Sequence, residues 1–216
     1  MNTFEFGICM NGLESAMERH LLSVVNRFPE TTYVEIGAAY GKTLTAMASI
    51  LKSTGKDWRA VGIDLPDGYS FDTASVKQYA SDRDLLLEVR AGANLSNPIK
   101  NNVITLCLID AQIYLDEIWD APIHFAFIDG CHGEECVTKD FLNVSQFVPV
   151  GGMIAFHDFG EDSCGEPQVH CVTGNTRAAL RKLGLLDDKY PGWAMAEHAV
   201  GDKTRVGRDL GVFLRV

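Results

Sequence analysis

Val34-Glu35-Ile36-Gly37-Ala38-Ala39-Tyr40-Gly41-Lys42-Thr43 decides how this chain reads. An apolar run ends in Glu-x-Gly-x-x-x-Gly and passes at once into a helical pattern that continues to Lys52. A strand that stops at glycines and opens a helix brings bare backbone N–H groups within reach of a ligand. The spacing does not fit a dinucleotide fingerprint, Gly-x-Gly-x-x-Gly, because Ala39 stands where its second glycine belongs. Glu35 adds a carboxylate beside the loop, which would repel a diphosphate and suits a cationic or zwitterionic ligand better. A buried structural turn is the plain alternative for two glycines after a strand.

The second strand, Ala60-Val61-Gly62-Ile63, ends in Asp64. An acid at the end of the second strand of a βαβ unit is placed to accept hydrogen bonds from both ribose hydroxyls. A solvated strand-end aspartate is the alternative. Taken together, Glu35, Gly37, Gly41 and Asp64 resemble the class I S-adenosylmethionine-dependent methyltransferases. The resemblance implies S-adenosylmethionine as cofactor, with its methionine end near Glu35, Gly37, Ala38, Tyr40 and Gly41 and its ribose on Asp64.

Composition agrees with a small-molecule enzyme. The chain has 216 residues, a net charge of −10 and a pI near 5.0, with no Lys/Arg cluster. An acidic surface is a poor partner for phosphate backbones, which demotes nucleic acid as substrate, so no nucleic-acid partner is expected and a small-molecule acceptor is preferred. No apolar run approaches the ~20 residues that span a bilayer, and no membrane partner is expected. The start, Met1-Asn2-Thr3-Phe4-Glu5, lacks the pattern of a signal peptide, and a cytoplasmic location is expected. The length suits a single domain over 1–216, with 1–30 as an N-terminal helical segment that covers the acceptor pocket. A homo-oligomer stays open. The six cysteines show no Cys-x-x-Cys pair and are expected as reduced thiols. The run 157–171, with Cys164, His170 and Cys171, matches no familiar zinc spacing.

Along the chain, strands alternate with helices, as a doubly wound sheet requires. Helices are expected over 12–28, 42–52, 73–80, 112–118, 133–147 and 176–183. Strands are expected over 33–37, 60–64, 103–109, 124–128, 152–156, 193–198 and 211–215. The run Leu85-Leu86-Leu87-Glu88-Val89 reads equally as strand or helix, and 92–102 as loop. The expectation is an α/β, doubly wound, mostly parallel seven-stranded sheet; the family likeness makes its last strand antiparallel. Glu35, Asp64, Asp110, Asp129, His157 and Asp158 all fall at strand ends, where such sheets bind ligands.

The third strand ends in Asp110-Ala111. Asp110 has two readings: the family's adenine site, where the acid accepts from the exocyclic amine and the backbone N–H of Ala111 meets the ring, or a helix N-cap. Further on, Ile128-Asp129-Gly130-Cys131-His132-Gly133-Glu134-Glu135-Cys136-Val137-Thr138-Lys139-Asp140 and Gly151-Gly152 through His157-Asp158 resemble a small-molecule O-methyltransferase group. That group's pattern is Ile-Asp-Gly-x-His-x-Tyr-Glu-x-Val-x-x-Asp, then Pro-Gly-Gly, then His-Asp. Glu134 replaces its tyrosine, and Val150 separates Pro149 from the glycines. Glu134, Glu135, Lys139 and Asp140 are expected on a solvated helix face, with the alternative for Asp140 that it bonds a neighbouring turn.

A neutral hydroxyl is a weak nucleophile, so methyl transfer to oxygen needs a base or a metal ion. The resemblance implies a divalent ion, Mg²⁺ or Mn²⁺, on Asp129, His157 and Asp158, with Asp129 also facing the cofactor. The metal-free alternative makes His132 or His157 the general base. The resulting expectation is methyl transfer from S-adenosylmethionine to a hydroxyl of a small molecule, a sugar being one candidate. The rival reading is a cofactor-binding module that has lost its chemistry and serves as a partner subunit. A nicotinamide-dependent reductase is disfavoured by the glycine spacing.

Overall fold

The apolar runs of the sequence become the strands of one sheet in the computed structural model, which describes residues 13–66, 72–160, 173–187, 189–201 and 209–216. In chain order the elements are α1 (Glu14–Arg27), β1 (Glu30–Ile36), α2 (Lys42–Ser53), β2 (Asp57–Asp64), α3 (Thr73–Asp82), β3 (Leu87–Arg90), β4 (Ile104–Leu108), α4 (Ala111–Glu117), β5 (Phe125–Ile128), α5 (Glu134–Ser145), β6 (Met153–Phe156), α6 (Thr173–Lys182), β7 (Trp193–Ala199) and β8 (Leu210–Arg215). The strand order is β3-β4-β2-β1-β5-β6-β8-β7. All neighbours from β3 to β6 pair in parallel, whereas β8 runs antiparallel to both β6 and β7.

The sheet has eight strands rather than seven. The extra one is β3, drawn from the ambiguous run 85–89, which joins the edge through Leu87↔Ile104. Arg90 settles the matter: its guanidinium is buried, pairs with Glu88 at 3.2 Å, and donates to the carbonyls of Asn97 and of Pro98, the latter at 2.8 Å. A helix over these residues would carry that guanidinium away from the loop that satisfies it.

Alternation along each strand splits the core into two layers. Tyr33, Phe125 and Phe127 join Met17, Leu44 and Met47 beneath α1, α2 and α3. Val34, Ile36, Val61 and Phe156 join Tyr114, Phe141 and Leu180 beneath α4, α5 and α6. Helices on both faces explain why β5 and β6 read as unbroken apolar runs. The described part of the expected covering segment, α1, is fastened to the opposite edge of the sheet. There Glu197 of β7 takes Arg19 and His20 at 2.6 Å each. Residues 1–12 of that segment, and Cys164, His170 and Cys171, lie outside the described residues. Among the described residues no helix is long and apolar enough to cross a membrane.

From β1 the chain winds toward β2, β4 and β3, and then crosses back to β5 and β6 on the other side. A crevice opens at such a switch point, outside the carboxyl ends of the strands. The turn after β1 needs two glycines there. Gly37 has φ +84°, and a Cβ on it would sit 2.3 Å from the Asp129 carbonyl oxygen. Gly41 has φ +72°, caps α2, and would drive a Cβ into Val76 at 2.7 Å. Gly37→Ala is expected to lower unfolding free energy by about 2 kcal/mol or more, because strain and clash add. Urea unfolding measures this, and an unchanged midpoint would mean that the turn retreats freely from β5.

Candidate active site

Four strand ends converge on one cavity of about 380 Å³. Gly37 and Ala39 after β1, Asp64 after β2, Asp110 to Gln112 after β4, and Asp129 to His132 after β5 form its walls. Of the residues expected to hold a cofactor, Gly37, Asp64, Asp110, Ala111 and Asp129 line it. Glu35, Ala38, Tyr40 and Gly41 are not among its lining residues. Glu35 is only 2% exposed and accepts a 2.6 Å hydrogen bond from the Tyr33 hydroxyl. Burial pushes its carboxyl well above the usual range, against the pull of the Tyr33 hydrogen bond. Ala38 packs in the core, and Tyr40 is 51% exposed.

Asp64 is aimed by the backbone. Its Oδ2 accepts from Ala39 N–H at 2.7 Å and its Oδ1 from Leu65 N–H at 2.8 Å. Burial raises its pKa, and these two donors pull it back. Ala39, which the sequence showed only as a misfit to another fingerprint, holds φ +44° and ties the β1 turn to the β2 acid. Asp110 fulfils the N-cap reading: its Oδ1 accepts from Gln112 N–H at 2.9 Å and Ile113 N–H at 3.2 Å. The carboxylate is thereby held at the cavity wall beside Ala111, whose N–H belongs to the first turn of α4 and is not used within the helix.

Asp129, His132 and Asp158 each place a potential ligand atom within 4.8 Å of the others. The sequence grouped Asp129 and Asp158 with His157 instead. His157 is 3% exposed, and its Nδ1 lies 2.9 Å from Asp129 Oδ1 and 3.3 Å from Asp158 Oδ1. Burial pulls its pKa down, but the two carboxylates outweigh burial and raise it to about 11. The two flanking carboxylates favour its protonated form, in which it would steady both acids. His132 is more open, with Nδ1 3.3 Å from Asp158 Oδ2. Asp158 itself sits at φ +51°, a left-handed conformation that a short polar side chain tolerates at modest cost.

Two further readings are corrected. Asp140 is 4% exposed and lines the cavity, so it does not belong to the solvated face that Glu135 and Lys139 form with their 3.0 Å pair. Cys131 and Cys136 are joined as a disulfide rather than standing as separate thiols. The loop after β5 folds back on the first turn of α5, bringing their Cα atoms to 5.7 Å, within disulfide reach. Glu134, at the departure from the family tyrosine, pairs with Lys182 of α6.

These features define a doubly wound α/β domain with an acidic ligand cavity at its switch point. The chain belongs to a methyltransferase-domain family, whose pattern matches residues 34–159, more than half its length. Solved structures share the fold. Cofactor-bound Rv0187 from MTB aligns at 14% identity with a TM-score of 0.64, covering 98% of this chain and 84% of that one. The O-methyltransferase TomG from Streptomyces achromogenes, in complex with SAM, aligns at 15% identity and TM-score 0.61, covering 94% and 80%. The O-methyltransferase from Bacillus cereus, in complex with SAH, aligns at 13% identity and TM-score 0.61, covering 99% and 84%. At these identities the likeness establishes the fold, and the acceptor does not travel with it.

The His157 arrangement has a signed consequence for stability. A histidine held protonated to about 11 when folded, against ~6.5 when unfolded, stabilises fully below ~6.5 and loses that contribution as pH rises through about 11. His157→Gln is therefore expected to cost most near pH 6 and progressively less toward pH 10, in urea unfolding with chelator present. A cost independent of pH would show that His157 is neutral.

Proposed function

We propose that this protein transfers a methyl group from S-adenosylmethionine to a hydroxyl of a small-molecule acceptor, with a divalent ion held by Asp129, Asp158 and His132. The observation that carries the reading is the convergence of Asp64, Asp110 and Asp129 on one cavity at the switch point of a methyltransferase-family sheet. Oriented carboxylates attract a sulfonium cation and repel a diphosphate. TomG and the Bacillus cereus protein are O-methyltransferases solved with SAM and SAH, which supports the same cofactor and acceptor atom.

The cofactor supplies an electrophilic methyl group on sulfur, and the chain's task is to place and prepare the acceptor oxygen in line with it. Asp64, with both oxygens steered by backbone N–H groups, accepts from the ribose hydroxyls. Asp110 accepts from the adenine amine, and Ala111 N–H meets the ring. The residues present fit a divalent ion: two carboxylates and one imidazole bring their donor atoms within 4.8 Å. A mixed oxygen and nitrogen shell suits Mn²⁺ better than Mg²⁺, and such an ion lowers the pKa of a bound hydroxyl. His157, where protonated, would hold Asp129 and Asp158 in place and limit their mutual repulsion. Where no ion is needed, His132 is the base: Asp158 orients its Nδ1, which leaves Nε2 to take the hydroxyl proton. The partner-subunit alternative rested on Glu134, and its pairing with Lys182 leaves the cavity wall intact.

Calorimetric titration with S-adenosylhomocysteine, with and without Mn²⁺ or Mg²⁺, tests the reading. Micromolar binding is expected. Asp64→Ala should weaken it roughly 10- to 100-fold, the worth of one or two charge-assisted hydrogen bonds. Binding unchanged in Asp64→Ala would remove the ribose contact, and no binding by the native chain would overturn the cofactor.

Chelator should abolish turnover in an acceptor screen and Mn²⁺ should restore it, with Asp129→Asn and His132→Ala both insensitive to the added ion. Full turnover in chelator would instead leave His132 as the base.

A further inference from the structure

The disulfide Cys131–Cys136 stands in the cavity wall, and the proposed transfer gives it no task. Cys131 is exposed and Cys136 half-buried, whereas Cys107, the free thiol among the described residues, is sealed in β4. A sulfur that outside thiols can reach is open to exchange, and one buried in a core is inert. The bond joins residues five positions apart, and His132 lies inside the ring it closes. Little else holds the loop side of that ring. The N–H groups from Gly130 to Gly133 make no backbone hydrogen bond with described residues. Gly133, the N-cap of α5, supplies no side-chain cap. Both sulfurs lie against it, since a Cβ there would meet Cys131 Sγ at 3.6 Å and Cys136 Sγ at 3.8 Å. From this tethered loop His132 Nδ1 reaches Asp158 Oδ2 at 3.3 Å.

We infer that the Cys131–Cys136 bond is a dithiol-sensitive latch on the divalent-ion site: closed, it holds the His132 ring beside Asp129 and Asp158, and opened, it lets that ring withdraw. The inference rests on the ion site proposed above and gives it a redox control. A dithiol opens the latch by two exchanges. Its first thiolate attacks Cys131 Sγ, the more exposed sulfur. A mixed disulfide forms as the Cys131–Cys136 bond breaks, and Cys136 leaves as a thiolate that takes up a proton. The second thiolate of the donor then attacks the donor sulfur of the mixed disulfide. That step closes the donor's own disulfide and releases Cys131, which is protonated in turn. Two electrons have passed to the protein, and the donor's two thiol protons are matched by two new thiols. Sulfurs no longer bonded to each other separate to van der Waals contact. The loop then parts from the first turn of α5, and His132 moves with it.

Calorimetric titration with Mn²⁺ tests this, on the oxidised chain and on the chain reduced with dithiothreitol that is then removed under nitrogen, with a thiol count on each sample. Reduction is expected to expose two further thiols on the folded chain. It should weaken Mn²⁺ binding roughly 10- to 100-fold, the usual worth of a group that orients a metal ligand. The double variant Cys131→Ser, Cys136→Ser should bind as the reduced chain does and ignore dithiothreitol. In His132→Ala the residual affinity should be the same in both states, because the latch acts through that ring.

If the oxidised native chain binds Mn²⁺ no more tightly than the reduced one, the bond is a structural tie alone and the inference is wrong. A disulfide that dithiothreitol does not open in the folded chain overturns it as well, and so does a redox effect that persists in His132→Ala. Reduction of the native chain decides the matter even where the double variant does not fold. Absence of Mn²⁺ binding in both states is a different result, since it removes the ion site itself and the inference with it while leaving the cofactor reading in place.

Discussion

The ends of β1 and β5 meet backbone to backbone at Gly37, and the cavity depends on that contact. A side chain there would lie inside the Asp129 carbonyl, so the two central strands could not close on each other. Their approach sets the spacing between the β1 turn and the β5 loop. Asp64 extends the same brace to β2 by gripping Ala39 N–H, and the Asp110 cap extends the wall to α4. Each acid is thus aimed by backbone groups that belong to a neighbouring turn or helix start. The arrangement is rigid because no member is held by exposed side chains alone.

Crowding four aspartates around one cavity, with Asp158 beside them, in a chain of net charge −10 has to be made tolerable. The structure uses a different physical device for nearly every one. Asp64 and Asp110 are satisfied by backbone N–H donors. Asp129 and Asp158 share the buried His157 ring. Asp140 takes up a proton near neutrality, with burial as the first cause. Neutralisation is incomplete by design of the geometry, and an acidic cavity with fixed acceptor directions is what a sulfonium cofactor with a hydroxyl-rich ribose would require.

Much of this was legible in the chain. The turn 37–41, the acid after β2 and the Asp-Ala after β4 were placed by local rules, because strand ends, glycines and helix caps leave marks within a few residues. Asp110 shows that two local readings can be compatible, since capping α4 uses one oxygen and leaves the other at the cavity. The run 85–89 was ambiguous because its pattern satisfies either period, and only the pairing with β4 and the burial of Arg90 chose. For Asp140 the solvated-face reading falls, and a signal in the sequence points against it. Asp140 lies three residues after Val137 and four before Val144, on the buried stripe of α5.

The sequence by itself determined the layered α/β class, the strand that carries each acid and the turn that needs glycine, since these follow from periodicity and backbone sterics. Only the tertiary structure decided which histidine faces the cavity. His157 directly follows β6 and His132 lies four residues past β5, and neither spacing says which ring meets the cavity. His157 is buried between two carboxylates, which favour its protonated form, while His132 keeps an accessible ring beside Asp158. Partners of that kind come from separate strands brought together by the sheet, so their electrostatic effect is absent until the chain folds.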